Sequence, residues 1–270
     1  LITDACPLLL LGAGHMGGAL IAGWRRAGTV APGDILIRDP NPGQAALAAG
    51  EAGARLNPSD HELQSARTVI LALKPQIWRD IAADTADQVR ADAVVISIMA
   101  GVKAADISQV FPGRPIVRAM PNTAAAVGKG ATGIWSMDAA GLARAHALFA
   151  PLGAVADLTE ENLIHAVTAA SGSAPAYVYA LVEALEHAGG SAGLAPEAAR
   201  SLSRAALIGA AALLEASGEE AGELRRQVTS PKGTTEAALG VLVGGGALDD
   251  LVTRAVLAAQ ARSRQLGGEA

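Results

Sequence analysis

The sequence predicts an α/β chain: a doubly wound sheet followed by an all-helical second half. Three observations carry this. Short apolar runs alternate with amphipathic stretches up to Glu160, the pattern of repeated βαβ units. A Gly-x-Gly-x-x-Gly motif, formed by Gly12, Gly14 and Gly17, lies between the first apolar run and the first helical stretch. After Glu160 the alternation stops and Ala-rich helical spacing takes over. The expected division is therefore a dinucleotide-binding domain at 1–160 and a helical domain at 161–270.

In chain order, residues 7–11 (Pro-Leu-Leu-Leu-Leu) form a short apolar run suited to a buried parallel strand. The glycines that follow have separate physical duties. Gly12 permits a tight turn, Gly14 lets the backbone approach a pyrophosphate, and Gly17 lets helix and strand pack closely. The motif thus predicts a Rossmann-type site for NADH or NADPH, with residues 19–27 as the helix behind it. His15 lies within the loop, either as a cofactor contact or as an exposed filler.

Residues 34–38 predict the second strand, closed by Asp39-Pro40-Asn41. In this fold the residue closing that strand reads the adenosine ribose. An acid there accepts from both ribose hydroxyls and repels a 2′-phosphate. Asp39 points towards NADH, Arg38 beside it points the other way, and a plain turn explains both equally well. Further strands are expected at 54–56, 68–73, 93–98, 115–119, 131–135 and 154–158, with helices at 44–51, 77–89 and 138–150. Gly12, Asp39, Lys74, Ser97 and Ala119 would then all end strands on one edge, where doubly wound sheets bind ligands. On that edge Lys74 faces either cofactor phosphates or solvent, and Asn122 or Thr123 reaches the nicotinamide amide.

In the second half, helices are expected at 161–170, from Pro175 to Gly189-Gly190, at 196–216 and at 248–266. Tyr177 and Tyr179 lie a turn from the 171–173 loop as candidate proton donors. Positions two apart on a helix face different ways, so at most one faces a site, and core packing is the expected role of both. His165 and His187 read as structural. Helices so rich in Ala and Gly bury little area each, at ~25 cal/mol per Å² of apolar surface. The expectation is that they pack against a second copy as a symmetric dimer.

The stretch 227–242 stands out. Between Gln227 and Thr235 there is no acid, while Thr229, Ser230, Thr234 and Thr235 supply four hydroxyls. Pro231 and Gly233 force a turn, and an apolar helix follows. If Gly233 caps that helix, Glu236 occupies the third helical position. A helix start with unpaired N–H groups and hydroxyls receives a small carboxylate or phosphate.

Composition closes off other classes. The net charge of −5 offers no basic stripe for nucleic acid. The single cysteine, Cys6, excludes internal disulfides and suits a reducing cytoplasm. The five histidines lie far apart, without metal-ligand spacing. Residues 163–182 carry no formal charge, but Ser171, Gly172, Ser173 and Pro175 interrupt them, so no membrane span is expected. Residues 1–6 lack a basic start, and no signal peptide is expected.

Taken together, Gly12–Gly17 with Met16, Ala72-Leu73-Lys74-Pro75, residues 118–123, 171–179 and above all 224–239 resemble the pyrroline-5-carboxylate reductases over nearly the whole chain. The resemblance implies a helical C-terminal dimerisation domain, homodimers that often assemble further, and a soluble cytoplasmic enzyme. It implies NADPH- or NADH-dependent reduction of 1-pyrroline-5-carboxylate to L-proline. The glycine loop and the strand edge supply the expected cofactor contacts, Gly12, Gly14, His15, Met16, Gly17, Asp39, Lys74, Asn122 and Thr123, and the resemblance implies a substrate carboxylate held by Ser230, Gly233, Thr234 and Thr235. Thr235 corresponds to the residue that hydrogen-bonds the ring nitrogen. Three positions depart from the family pattern: Lys232 and Ala174 replace glycines, and Ala124 replaces a proline. A hydroxyacid dehydrogenase of the same architecture would want a lysine in the helical half, where Lys232 is the only one. A dinucleotide sensor without catalysis would need no threonine loop.

Overall fold

The computed structural model describes residues 2–268. Two compact units make up the chain: residues up to Pro175 together with those from Ala258 onward, and Ala176–Leu257. The expected boundary at Glu160 falls earlier than this division. Residues 161–175 stay with the sheet because they are tied to it. The Val167 side chain packs where a Cβ on Gly133 would stand, and the Ser171 carbonyl accepts from the Asn122 amide. The buried His165 ring bonds the Ser263 hydroxyl at 2.9 Å, joining the last turns of the final helix to the same unit.

The first unit is an eight-stranded sheet in the order β3-β2-β1-β4-β5-β6-β7-β8. Its strands are β1 Leu8–Leu11, β2 Ile35–Arg38, β3 Arg55–Leu56, β4 Thr68–Leu71, β5 Val94–Ser97, β6 Ile116–Met120, β7 Gly130–Trp135 and β8 Gly153–Asp157. Strands β1 to β6 are parallel, β7 runs antiparallel to β6, and β8 is parallel to β7. The sheet has a core on each face because successive strand residues point oppositely. Leu8 and Leu10 pack with Trp24, Ile35, Ile37 and Ile96 on one side. Leu9 and Leu11 pack with Leu36, Val69, Trp78 and Phe111 on the other. This is why β1, β4 and β5 read as continuous apolar runs and not as alternating ones.

Helices α1 His15–Ala27, α2 Gln44–Glu51, α3 Asp60–Leu63, α4 Trp78–Ala86, α5 Ala104–Val110 and α6 Ala139–Phe149 connect or flank these strands. The indole N–H of Trp24 donates to the Leu148 carbonyl, pinning α1 to α6. The helix expected at 161–170 is three pieces: a 3-10 turn, α7 Ile164–Val167, and a π turn at Thr168–Gly172.

The second unit consists of most of α8 Ala174–Ser191, then α9 Pro196–Ser217, α10 Ala221–Gln227, α11 Thr234–Leu242 and the first part of α12 Ala247–Leu266. Gly189 lets the Ala199 side chain approach, and Arg204 pairs with Glu186 to hold α9 on α8. Among the described residues no helix is long and apolar enough to cross a membrane.

Candidate active site

Strand β1 ends at Leu11 and hands over to Gly12, whose φ of +90° suits glycine. A Cβ on Gly12 would stand 2.5 Å from the Ala72 carbonyl oxygen, and one on Gly17 2.4 Å from the Gly12 carbonyl oxygen. Both glycines therefore bring backbones into contact. Gly14 differs: a Cβ there would meet nothing within 4 Å, so its open side faces the cleft. It is also the N-cap of α1, with no side-chain cap and no acid in the first turn. That leaves the N-terminal N–H groups and the positive end of the helix for an anion.

The cleft above this loop has a volume of about 690 Å³ and is lined by Gly12, Gly14, His15, Met16, Asp39 and Lys74 among others. Gly17 lies beneath the loop and supports it without lining the cleft. Asp39 has a duty that its position alone did not reveal. Its Oδ2 accepts from the Ala13 N–H at 2.6 Å and its Oδ1 from the Asn41 N–H at 2.8 Å. The Asp39 N–H donates to Asn57 Oδ1. Asp39 thus fastens the glycine loop to the end of β2. Arg38 turns to α4, donating from Nη1 to Gln88 Oε1 at 2.9 Å and to Thr85 Oγ1 at 3.4 Å. Ile77, Ile81 and Asp84 complete the wall. Sequence reading missed Ile81 and Asp84, yet they follow Ile77 at helical spacing, and that periodicity was the available signal.

Asn122 and Thr123 do not line this cleft. Asn122 is buried, donating from Nδ2 to the Ser171 carbonyl and accepting the Ala131 N–H at Oδ1. It pins the β6–β7 turn to the π turn. Thr123 is exposed at the start of a 3-10 turn.

In the second unit, Gly233 is the N-cap of α11 and Glu236 is the third helical residue, the arrangement expected from the sequence. A Cβ on Gly233 would lie 2.4 Å from Ser230 Oγ and 2.9 Å from the Ser230 carbonyl oxygen, so a side chain there would crowd the turn. Glu236 Oε2 accepts the Lys232 N–H at 2.7 Å. Lys232 has φ +59°, a left-handed conformation that a side chain disfavours. A glycine would adopt this conformation without strain, and the loop closes here despite the lysine. Of the four hydroxyls, Thr229 is committed to the Arg225 carbonyl at 2.6 Å. Ser230, Thr234 and Thr235 make no side-chain hydrogen bond among the described residues, and Thr235 is half-buried. Tyr179 is 65% exposed within the single chain, where it lines a groove with Val182 and Ile208. Among the described residues no group of His, Cys, Asp and Glu side chains is placed to hold a metal ion.

A glycine loop opening on a helix N-terminus, at the carboxyl edge of a doubly wound sheet, defines a dinucleotide-binding protein of the Rossmann class. The residues fit the group: Gly14 leaves room for it, Gly12 and Gly17 shape the turn, and Asp39 braces it. Residues 161–266 match the model of the pyrroline-5-carboxylate reductase dimerisation domain, and residues 8–101 that of NADP oxidoreductases, coenzyme F420-dependent. Pyrroline-5-carboxylate reductase of Pseudomonas aeruginosa is 38% identical over 264 residues, covering 96% of each chain. That of Pisum sativum is 32% identical, covering 98% of each. Among solved structures, the Coxiella burnetii pyrroline-5-carboxylate reductase superposes with a TM-score of 0.85 at 30% identity, covering 97% of this chain and 99% of that one. The Plasmodium falciparum pyrroline carboxylate reductase with NADP bound gives 0.83 at 25% identity, over 98% and 99%. The chain belongs to the pyrroline-5-carboxylate reductase family.

Proposed function

We infer that this chain reduces 1-pyrroline-5-carboxylate to L-proline with NADPH or NADH, the last step of proline synthesis, and does so in the cytoplasm. The observation that carries the substrate assignment is the α11 start. Three hydroxyls without a side-chain hydrogen bond among the described residues border a helix start that has no side-chain cap. No acid lies between Gln227 and Thr235, and the one acid of the first turn, Glu236, is engaged by the Lys232 N–H. Such a terminus stabilises a carboxylate by ~0.3–1 kcal/mol through its dipole alone, and more through direct hydrogen bonds. Ser230, Gly233 and Thr234 hold the ring carboxylate. Thr235 orients the ring nitrogen and passes it a proton drawn from water, since a threonine hydroxyl is itself a poor acid. When bound in the glycine-loop cleft, the reduced nicotinamide supplies the hydride. Gly12, Gly14, His15, Met16, Gly17, Asp39 and Lys74 hold or brace that group, and Asn122 and Thr123 shape the far end of the strand edge.

Residues 161–270 carry substrate binding and dimerisation. Within Ala176–Leu257 only Ala199 is buried, while Leu181, Leu185, Leu202, Ile208, Leu213 and Leu251 are exposed. A unit without its own core needs a partner surface, and a second copy supplies one of matching character. Dimers of this kind are the units from which larger assemblies form. The test of the function is the fall in nicotinamide absorbance on adding 1-pyrroline-5-carboxylate, repeated with Thr235→Ala. Turnover of the variant drops by more than about tenfold while dinucleotide affinity stays level. Unchanged turnover removes Thr235 from the mechanism, and no absorbance change with the parent chain removes the activity.

A further inference from the structure

Resting on the reductase reading, the structure carries the choice of coenzyme further. We propose that Asp39 makes this enzyme select NADH over NADPH. The closing residue of β2 reads the adenosine ribose in doubly wound sites, and here it is a carboxylate that cannot turn aside. Hydrogen bonds of 2.6 and 2.8 Å from Ala13 and Asn41 hold its two oxygens, and Asn57 holds its own N–H. Moving the carboxylate would strand two backbone donors. A carboxylate offers about four acceptor sites, so two remain for the paired 2′- and 3′-hydroxyls of an unphosphorylated ribose. A 2′-phosphate brings close to two negative charges and no proton to donate at neutral pH.

The nearby charges do not reverse this. Arg38 is the cation adjacent in sequence, and its guanidinium is anchored on α4 by Gln88 and Thr85. Asp84, on the same helix, adds a second carboxylate to the cleft wall. Lys74 lies at the end of β4, a different strand, across β1 from Asp39. Accepting a 2′-phosphate would require Arg38 to leave both partners and still overcome Asp39.

The test begins with binding, without turnover. Fluorescence titration of the full chain gives a Kd for NADH at least about tenfold below that for NADPH at low salt, and the gap narrows as ionic strength screens it. The ratio of kcat/KM with 1-pyrroline-5-carboxylate follows the same order. Asp39→Ser moves the Kd ratio towards NADPH by about tenfold, even where loss of the loop brace weakens both coenzymes. Arg38→Gln leaves the ratio within about twofold. Equal or tighter NADPH binding by the parent chain overturns the proposal. So does a selective loss of NADPH affinity in Arg38→Gln, which would show that Arg38 swings to the phosphate. Binding of neither coenzyme would instead sink the reductase reading and this inference with it, and binding in the expected order without turnover would sink the reductase reading alone.

Discussion

The glycine loop makes a prediction that separates folding from binding, because Gly14 and Gly17 lie three residues apart with opposite surroundings. A Cβ on Gly17 would stand 2.4 Å from the Gly12 carbonyl oxygen, so Gly17→Ala must push a backbone carbonyl by about an ångström. Overpacking of that kind costs roughly 2–3 kcal/mol, which for a unit of this size lowers Tm by roughly 5–10 °C. A Cβ on Gly14 meets nothing within 4 Å, and the backbone there is extended, with φ −68° and ψ −155°. Gly14→Val therefore costs at most ~1 kcal/mol, from the poorer N-cap. Its side chain fills the space through which a pyrophosphate reaches the α1 terminus, and NADH binding weakens at least about a hundredfold, or ~2.8 kcal/mol. Differential scanning fluorimetry with and without NADH checks both halves. Gly17→Ala melts early, and Gly14→Val melts near the parent but gains nothing from NADH. The reasoning fails if NADH protects Gly14→Val as it protects the parent, or if Gly17→Ala melts with the parent.

Three further outcomes follow from the geometry. Lys232 sits at φ +59°, so Lys232→Gly relieves a left-handed conformation costing ~1–2 kcal/mol, partly offset by glycine's chain entropy; chemical denaturation should show a small gain in stability, and a loss would contradict the strain. Asn122→Ala strands the Ser171 carbonyl and the Ala131 N–H and destabilises the first unit by ~1–3 kcal/mol; a melting temperature equal to the parent's would mean that the amide is not a pin. Burial, with Asp34 adding to it, pushes the Cys6 thiol up to about 11. Because the folded value is raised, the associated stability is present below the ordinary thiol range and lost as pH rises towards 11, and iodoacetamide at pH ~8 labels Cys6 only after unfolding. Prompt labelling of the native chain would refute this.

The parallel half of the sheet was legible because its strands are buried on both faces. Residues such as 8–11 and 94–97 then form unbroken apolar runs that no exposed element would carry. The reversal at β7 was not called, although chain length held the signal. Only the residues between Met120 and Gly130 separate β6 from β7, too few for the crossover a parallel partner needs. Gly128, left-handed at φ +72°, ends the short turn that brings the chain back. Helix α3 was overlooked despite a capping box formed by Ser59 and Glu62, since four residues are too short for periodicity. In the cleft, residue types identified Gly12, Gly14 and Asp39, but not how Asp39 braces the loop. That depends on a contact with Ala13, far away in sequence, which no local pattern encodes.

The helical half poses a different difficulty, and its physical reason bears on function. Its apolar residues recur at helical spacing, so the helices were readable, yet Ala199 alone is buried in Ala176–Leu257. Periodicity says which face of a helix is apolar, and it does not say what covers that face. In a unit with its own core the two questions have one answer, because the chain covers itself. Here they separate. The α11 start that holds the candidate substrate residues is built on helices whose apolar faces await a partner, so substrate affinity and dimerisation should be lost together. A charge placed on the exposed face, as in Leu251→Asp, should yield monomers that still bind NADH through the first unit but no longer turn over. Monomers with full activity would break that link.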